Sequence, residues 1–442
     1  MVKVITYGTY DLLHHGHIKL LERAKKLGDY LIVGVTADDF DKTRGKINVQ
    51  QSLIERIEAV KATNLADKII VEEYEGQKID DIKKYGIDIF TVGSDWQGKF
   101  DYLNEYCKVI YLERTQGVSS SQIRAEKRAI NLGMVGDYAP TMNKFQKEDR
   151  YVNGVEITSI CTNNKENMSK EVQNLQLVTE NYEELINSVD AVYIKSKYEL
   201  HYEQIKRALL LGKHVLCESP ICLEEKKYKE LVELSKENGC ILMEAIRTAY
   251  STAYSRLLLL LKSGKIGKIV SVDATCSSIK NTENSQEINS LKDWGPTALL
   301  PVFQILGTNY KSKKIISNFI DQENKQDAFT KIDFVYDNAV ASIKVAEKAK
   351  SEGDLVITGT DGYIYVPAPW WKTDYFEIRF ENQTENKRYF YQLDGEGIRY
   401  ELVTFARSIQ KNKNLSNISS DISFAICKIM NEFENKNDVI KI

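Results

Sequence analysis

Residues 4–28, VITYGTYDLLHHGHIKLLERAKKLG, constrain the fold more than any other stretch of the chain. A β-type run (Val4, Ile5, Tyr7) leads into Gly8, and Asp11 lies in the turn that follows. A helical period then opens at His14-His15-Gly16-His17 and runs on through Ile18, Leu20, Leu21 and Ala24. A strand, a glycine turn and a helix start, in that order, make an anion site, because the first turn of a helix leaves its N–H groups unpaired. His14 and His17 are three residues apart and so share one face of that turn. Two imidazoles beside such donors suit a phosphate chain whose charge rises during reaction. Of the five histidines in the chain, three stand in these four positions, which concentrates the chemistry here.

The strand-then-helix rhythm continues. Strand-like runs recur at 30–36, 68–71, 87–92 and 108–112, with helical patterns at 17–27, 50–63 and 77–85. That alternation predicts an α/β domain over 1–127 with a parallel sheet and a ligand at the carboxyl ends of its strands. Hardly any linker follows. A second alternation starts at 131–136 and continues through strands at 155–161, 190–195, 213–217 and 240–244, with helices at 200–211 and 223–238. This predicts a dinucleotide-binding Rossmann domain over 129–248. From 249 to 442 the alternating, β-branched and aromatic positions predict an α+β domain with an open, mainly antiparallel sheet. Such a sheet is a natural dimer surface.

Composition narrows the function classes. A net charge of −3 implies no general attraction to nucleic acid. The longest apolar run, Leu257–Leu261, is hemmed in by Arg256 and Lys262, so no membrane span is expected. The chain enters a strand directly, without a signal-peptide pattern. Its seven cysteines have neither pairing spacing nor CxxC motifs, so neither a disulfide scaffold nor a zinc site is expected. These features lead to the expectation of a cytoplasmic protein.

The form GTYDLLHHGH resembles the HxGH signature of the nucleotidyltransferase superfamily, and within it the bacterial glycerol-3-phosphate cytidylyltransferases. Three further segments carry the likeness over residues 1–127. TADDFDKTRGK at 36–46 offers Lys42, Arg44 and Lys46 on a loop after a strand. VGSDWQGKF at 92–100 is similar to the family's GDDWEGKF and brings Asp95 and Trp96. ERTQGVSSSQIR at 113–124 is similar to the family's RTEGISTT loop, with Arg114, Thr115, Gly117, Ser119, Ser120 and Ser121. The resemblance implies in-line transfer of a cytidylyl group from CTP to a polyol phosphate, with Mg²⁺ bridging phosphate oxygens. It implies His14, His17, Lys46 and Arg114 as catalytic residues. Gly8, Thr9, Tyr10, Asp11, Gly16, Asp95, Trp96, Arg114, Thr115, Gly117 and Ser119–Ser121 would bind the nucleotide, and Lys42, Arg44 and Arg56 the acceptor. No metal ligand is assigned to a protein side chain. Where the family carries a second arginine on the helix of Arg56, this chain has Asn64.

Residues 188–220, with GKHVLCESP at their end, resemble the Gfo/Idh/MocA family of NAD(P)-dependent oxidoreductases, and the likeness continues to residues 396–409. It implies cofactor contacts from Gly133, Gly136, Asp137, Ser196, His201, Glu218, Ser219 and Pro220, and, from the habit of the family, a homo-oligomer. The chain departs from the pattern at chemically important positions. The phosphate loop is Gly133-Met-Val-Gly136-Asp-Tyr-Ala139, the EKP lysine is Ser219, and the tyrosine of the DxGxY segment is Thr297. Hydride transfer to a carbonyl needs a proton donor beside the new alkoxide. Tyr198, His201 and Tyr250 are the substitutes in sequence. Two readings follow: a bifunctional enzyme in which NAD(P)H-dependent reduction of a keto-sugar supplies the polyol for CDP-polyol synthesis, or a cytidylyltransferase whose degenerate second half serves assembly or ligand sensing.

Overall fold

The computed structural model describes residues 1–37, 49, 51–73, 76–113, 130–152, 154–279, 288–321, 323, 326–391 and 393–442. The expected site residues Lys42, Arg44, Lys46, Arg114, Thr115, Gly117, Ser119, Ser120 and Ser121 lie outside them. The chain forms two compact units, Met1–Ala129 and Ile130–Ile442.

The first unit is built on five strands, β1 (Lys3–Gly8), β2 (Tyr30–Thr36), β3 (Lys68–Glu72), β4 (Ile89–Gly93) and β5 (Lys108–Leu112), with helices α1 (His15–Lys25), α2 (Leu53–Ala62) and α3 (Gln77–Tyr85). The strands are all parallel in the order β3-β2-β1-β4-β5. Period-2 alternation sends Ile5, Ile32, Phe90 and Val92 to one face, and Val4, Leu31, Val33 and Val35 to the other, where Leu21, Ala24 and Val60 cover them. A capping box of Ser52 and Glu55 starts α2. Just beyond α2, Asn64 adopts φ +56, which asparagine tolerates better than most residues. The strand order reverses between β1 and β4, so the ligand crevice falls at their carboxyl ends.

The second unit begins with six parallel strands, β6 (Ile130–Val135), β7 (Val155–Cys161), β8 (Leu177–Thr179), β9 (Ala191–Ile194), β10 (His214–Glu218) and β11 (Leu242–Ala245), in the order β11-β10-β9-β6-β7-β8. The helices α4 (Ala139–Asp149), α5 (Tyr182–Ser188), α6 (Tyr198–Leu210) and α7 (Glu225–Glu237) connect them. The core between sheet and helices holds Leu185, Val192, Ile194, Ile205, Val215 and Leu231. Here the reversal lies between β6 and β9.

After α8 (Thr252–Lys262) come β12 (Ile269–Ser277), the long helix α9 (Ser290–Leu306), and strands β13 (Ser312–Phe319), β14 (Asp327–Val335), β15 (Val340–Ala346), β16 (Leu355–Gly359), β17 (Tyr363–Val366), β18 (Tyr375–Arg379) and β19 (Lys387–Phe390). The chain ends through α10 (Ile398–Gln410), α11 (Ser420–Glu434) and β20 (Val439–Lys441). These strands form one sheet in the order β19-β18-β17-β16-β12-β15-β14-β13-β20. Its pairings are antiparallel except β12 with β15 and β13 with β20, so the sheet is mixed and mainly antiparallel. Helix α9 packs against β12, β14 and β15 on one face. No helix among the described residues is long and apolar enough to cross a membrane.

Candidate functional site

In the first unit the loop after β1 is strained and tied down on both sides. Tyr10 and Leu12 have φ of +54 and +47, a conformation that costs a non-glycine residue on the order of 1 kcal/mol and persists only where the surroundings enforce it. Asp11 between them is buried; its Oδ1 accepts from the Gln51 N–H at 2.9 Å, and Gln51 Oε1 accepts from the Leu12 N–H at 2.7 Å. The Tyr10 ring folds back over Gly8, where a Cβ would stand 3.0 Å from it, so any larger residue at position 8 would push the ring aside.

His14 is the N-cap of α1. Its Nδ1 accepts from the Gly16 N–H at 3.1 Å, which leaves Nε2 as the protonated nitrogen of the neutral ring. His17 stacks on it with ring centroids 3.9 Å apart and planes 21° apart, and the Tyr10 ring meets His17 edge-on at 5.6 Å. The two imidazoles thus form one half-buried slab at the first turn of α1, beside its N–H donors. Beyond β4, a short helical turn (Ser94–Trp96) carries the exposed Asp95 and the half-buried Trp96, whose ring lies 5.8 Å from Phe100 with Lys99 Nζ 5.2 Å above it.

Arg56 is wholly buried. It donates through Nη1 to the carbonyls of Thr9 (2.6 Å) and Thr36 (2.8 Å) and through Nε to that of Gln51 (3.2 Å). It therefore ties together the site loop, the end of β2 and the start of α2, a positioning role that the sequence did not disclose. The sequence also gave no sign of the buried network beneath the ends of β1–β3. There Thr36 donates to Glu72 at 2.9 Å, Lys78 pairs with Glu72, and Asp81 accepts from Tyr7 (2.9 Å) and Gln77 (3.0 Å). Burial, and then Asp81, push the Tyr7 phenol far up, so it stays a donor.

In the second unit, Gly136 has φ +149, and a Cβ there would stand 2.3 Å from the Lys195 carbonyl; the close approach of β6 and β9 requires glycine. Gly133 lies within β6 against Leu185. Asp137 accepts from Thr162 Oγ1 (3.0 Å) and the Asn163 N–H (2.7 Å), which ties the glycine turn to the end of β7. Helix α4 starts just beyond, with no side-chain cap on its first turn. The remaining expected residues gather at the ends of β9 and β10. Glu218 Oε1 accepts from Tyr193 at 2.5 Å and from Arg247 Nη2 at 3.3 Å. Burial pushes the Glu218 carboxyl up, but Lys195 and then Arg247 outweigh it and hold the group below the usual carboxylate range. Ser219 donates to the buried Glu244, whose carboxyl burial raises. Ser196 donates to Gln204 at 2.5 Å.

The three substitute proton donors are all engaged. His201 is fully buried between the carbonyls of Pro220 (2.9 Å) and Ser196 (3.3 Å), and desolvation pulls its imidazole down. Tyr198 donates to Asp293 at 2.5 Å, and Tyr250 to the Glu244 carbonyl at 2.9 Å. Among the described residues no group of three or more His, Cys, Asp or Glu is arranged to hold a metal.

The cytidylyltransferase-like family pattern matches residues 5–126. Glycerol-3-phosphate cytidylyltransferase of Bacillus spizizenii is 51% identical over 130 residues, which are 29% of this chain and 100% of that protein. Over this first unit the chain belongs to the cytidylyltransferase family. It is a nucleotidyltransferase. An oxidoreductase family with an NAD-binding Rossmann fold matches residues 130–246, and a Gfo/Idh/MocA-type domain therefore follows the cytidylyltransferase. The scyllo-inositol 2-dehydrogenase (NADP(+)) of Bacillus subtilis is 26% identical over 264 residues, 57% of this chain and 79% of that one. In fold, the second unit matches the 3-ketoreductase KijD10 of Actinomadura kijaniata in complex with NADP and TDP-benzene, with a TM-score of 0.63 and 17% identity, over 71% of this chain and 100% of that one.

Proposed function

We propose that the chain makes a CDP-polyol for a cell-surface polymer in two steps: its second unit reduces a keto-sugar phosphate with NAD(P)H, and its cytidylyltransferase unit activates the resulting polyol phosphate with CTP. The observation that carries this reading is the stacked His14–His17 pair at the start of α1, in a first unit that is half identical to a whole glycerol-3-phosphate cytidylyltransferase. An acceptor phosphate oxygen attacks the α-phosphorus of CTP as the bond to the pyrophosphate oxygen breaks. Such a transfer needs positioning and charge neutralisation rather than a covalent intermediate. The protonated Nε2 of His14 and the stacked His17 take up charge on the reacting phosphates, with Lys46 and Arg114 assisting. The loop Gly8–Asp11, Gly16, Asp95, Trp96 and the 114–121 segment hold the nucleotide; Lys42 and Arg44 hold the acceptor. Mg²⁺ arriving with the triphosphate would add charge neutralisation.

In the second unit the uncapped first turn of α4 behind Gly136 fits a dinucleotide pyrophosphate. The bound nicotinamide supplies hydride. Glu218, Ser219, Pro220, Ser196 and His201 shape the wall of that crevice, and Asp137 holds the turn against the end of β7. The reading places both steps in the cytoplasm, in a homo-oligomer.

A second reading has one observation behind it: Ser219, which stands where the family's lysine would be, is bonded inward to Glu244, as in a site turned to structure. The test is to incubate the full chain with CTP, NADPH and a panel of ketose phosphates (erythrulose 4-phosphate, ribulose 5-phosphate, fructose 6-phosphate), and to follow pyrophosphate release and NADPH oxidation together. Pyrophosphate release that depends on both a ketose phosphate and NADPH supports the two-step reading. Release with a ready-made polyol phosphate alone, without NADPH binding, supports the monofunctional one.

A further inference from the structure

The family's lysine is absent from the second unit, yet a lysine stands one strand away. β9 and β10 run parallel with Ile194 opposite Cys217, so the next residues on each, Lys195 and Glu218, stand side by side at the strand ends. Lys195 is pinned there by its backbone. Its N–H donates to the Val135 carbonyl at 2.8 Å, and its own carbonyl lies against Gly136 so closely that only glycine fits. This is the point at which the strand order of the sheet reverses, and in open α/β sheets that is where a ligand lies. The side chain is half-buried, and among the described residues its ammonium makes no hydrogen bond or ion pair. The surrounding polar groups differ from it: Ser219 faces Glu244, His201 sits between two carbonyls, and Tyr198 and Tyr250 are bonded to Asp293 and to the Glu244 carbonyl. Lys195 lies within electrostatic reach of Glu218, Cys217 and His201, and Glu218 in turn accepts from Arg247.

We propose that Lys195 is the catalytic proton donor of the second unit, having taken over from the adjacent strand the role left by Ser219. The inference rests on the reductase reading above. The ketone carbon of the substrate gains a hydride from the reduced nicotinamide, and its oxygen gains a proton from Lys195 Nζ. The carbonyl π-bond becomes the new O–H bond, the nicotinamide leaves oxidised, and water recharges the lysine. The Glu218 carboxylate, kept ionised by Lys195 and Arg247, holds the ammonium charged between turnovers. General acid catalysis of this kind contributes about 10²–10⁴-fold.

The test uses the full chain with NADPH and the same ketose phosphates. Lys195→Met is expected to lower the kcat of NADPH oxidation about 100-fold or more, while the NADPH dissociation constant, read by fluorescence, stays within about threefold. Returning a lysine to the neighbouring strand (Ser219→Lys in the Lys195→Met background) is expected to restore at least about a tenth of the lost rate. An activity-independent readout is labelling with pyridoxal phosphate and borohydride, mapped by mass spectrometry: Lys195 is expected to be modified in the free protein and protected by NADPH. Should Lys195→Met bind NADPH, melt as the parent does and keep its kcat, the assignment is overturned while the reductase reading stands. Should the parent chain neither bind NADPH nor oxidise it, the reductase reading fails and takes Lys195 with it. Labelling of Lys195 that NADPH leaves unchanged also overturns the assignment.

Discussion

The two units place their crevices at the same topological point of a parallel sheet and furnish them in opposite ways. In the first, a strained loop and a helix start present two stacked imidazoles, and the buried Arg56 bonds to backbone carbonyls that fix the loop. In the second, the residues at the family's chemical positions are largely bonded into the protein. Asp137 holds the end of β7, Ser219 faces Glu244, and His201 is sealed between two carbonyls. Topology thus fixes where a ligand lies, whereas the direction in which each polar group is bonded decides what can be done to it.

The comparison breaks most visibly at His17. His17→Ala is expected to lower CTP-dependent pyrophosphate release about 10²–10³-fold, the scale of losing one preorganised charge-stabilising donor, and to leave NADPH fluorescence titration unchanged. Comparable losses of both readouts would show that the residue supports the fold rather than the chemistry. Arg56→Gln comes next. Removing a buried cation that satisfies three carbonyls is expected to cost about 3 kcal/mol in denaturant unfolding and to raise KM for CTP along with lowering kcat, because the loop carrying Thr9 loses its anchor. An unchanged melt with a pure kcat effect would instead make Arg56 a reacting-site residue.

A pH experiment probes the sealed crevice. His201 has its imidazole held down by burial, so the unfolded chain takes up the proton first as pH falls. Its contribution to stability is complete above the unfolded value near 6.5 and is lost as pH drops below it. His201→Gln is expected to flatten that acid limb in urea melts between pH 7.5 and 5; an unaltered slope would mean that other groups set it. The smallest effect is expected at Asp137. Asp137→Asn keeps an acceptor for the Asn163 N–H while removing a negative charge beside the start of α4, and should tighten NADPH binding by about threefold, in keeping with the scale of a charge at a helix terminus. Weaker binding would show that the carboxylate itself holds the cofactor.

Much of the fold was legible because its signals are local. The runs at 30–36 and 155–161 became strands with those bounds, and the pattern at 77–85 became a helix. Helices α4 and α5 and strand β8 escaped the reading. The α4 segment, APTMNKFQKED, shows only a weak apolar stripe, and β8 is three residues long. Within the first crevice the His14–His17 face follows from a spacing of three on a helix, and so could be read directly. Arg56 could not, because a buried strut and an exposed anion-binding arginine have the same local sequence.

What the sequence determined by itself was therefore everything carried by spacing along the chain: two successive α/β alternations, a helix start armed with histidines, and an alternating sheet-forming tail. What only the tertiary structure decided was which groups meet across strands. It set β12 parallel beside β15 in an otherwise mainly antiparallel sheet, turned Ser219 toward Glu244, and brought Lys195 beside Glu218. The physical reason is that periodicity fixes the face on which a side chain lies, while register between distant strands, set by packing of the whole core, fixes its neighbour.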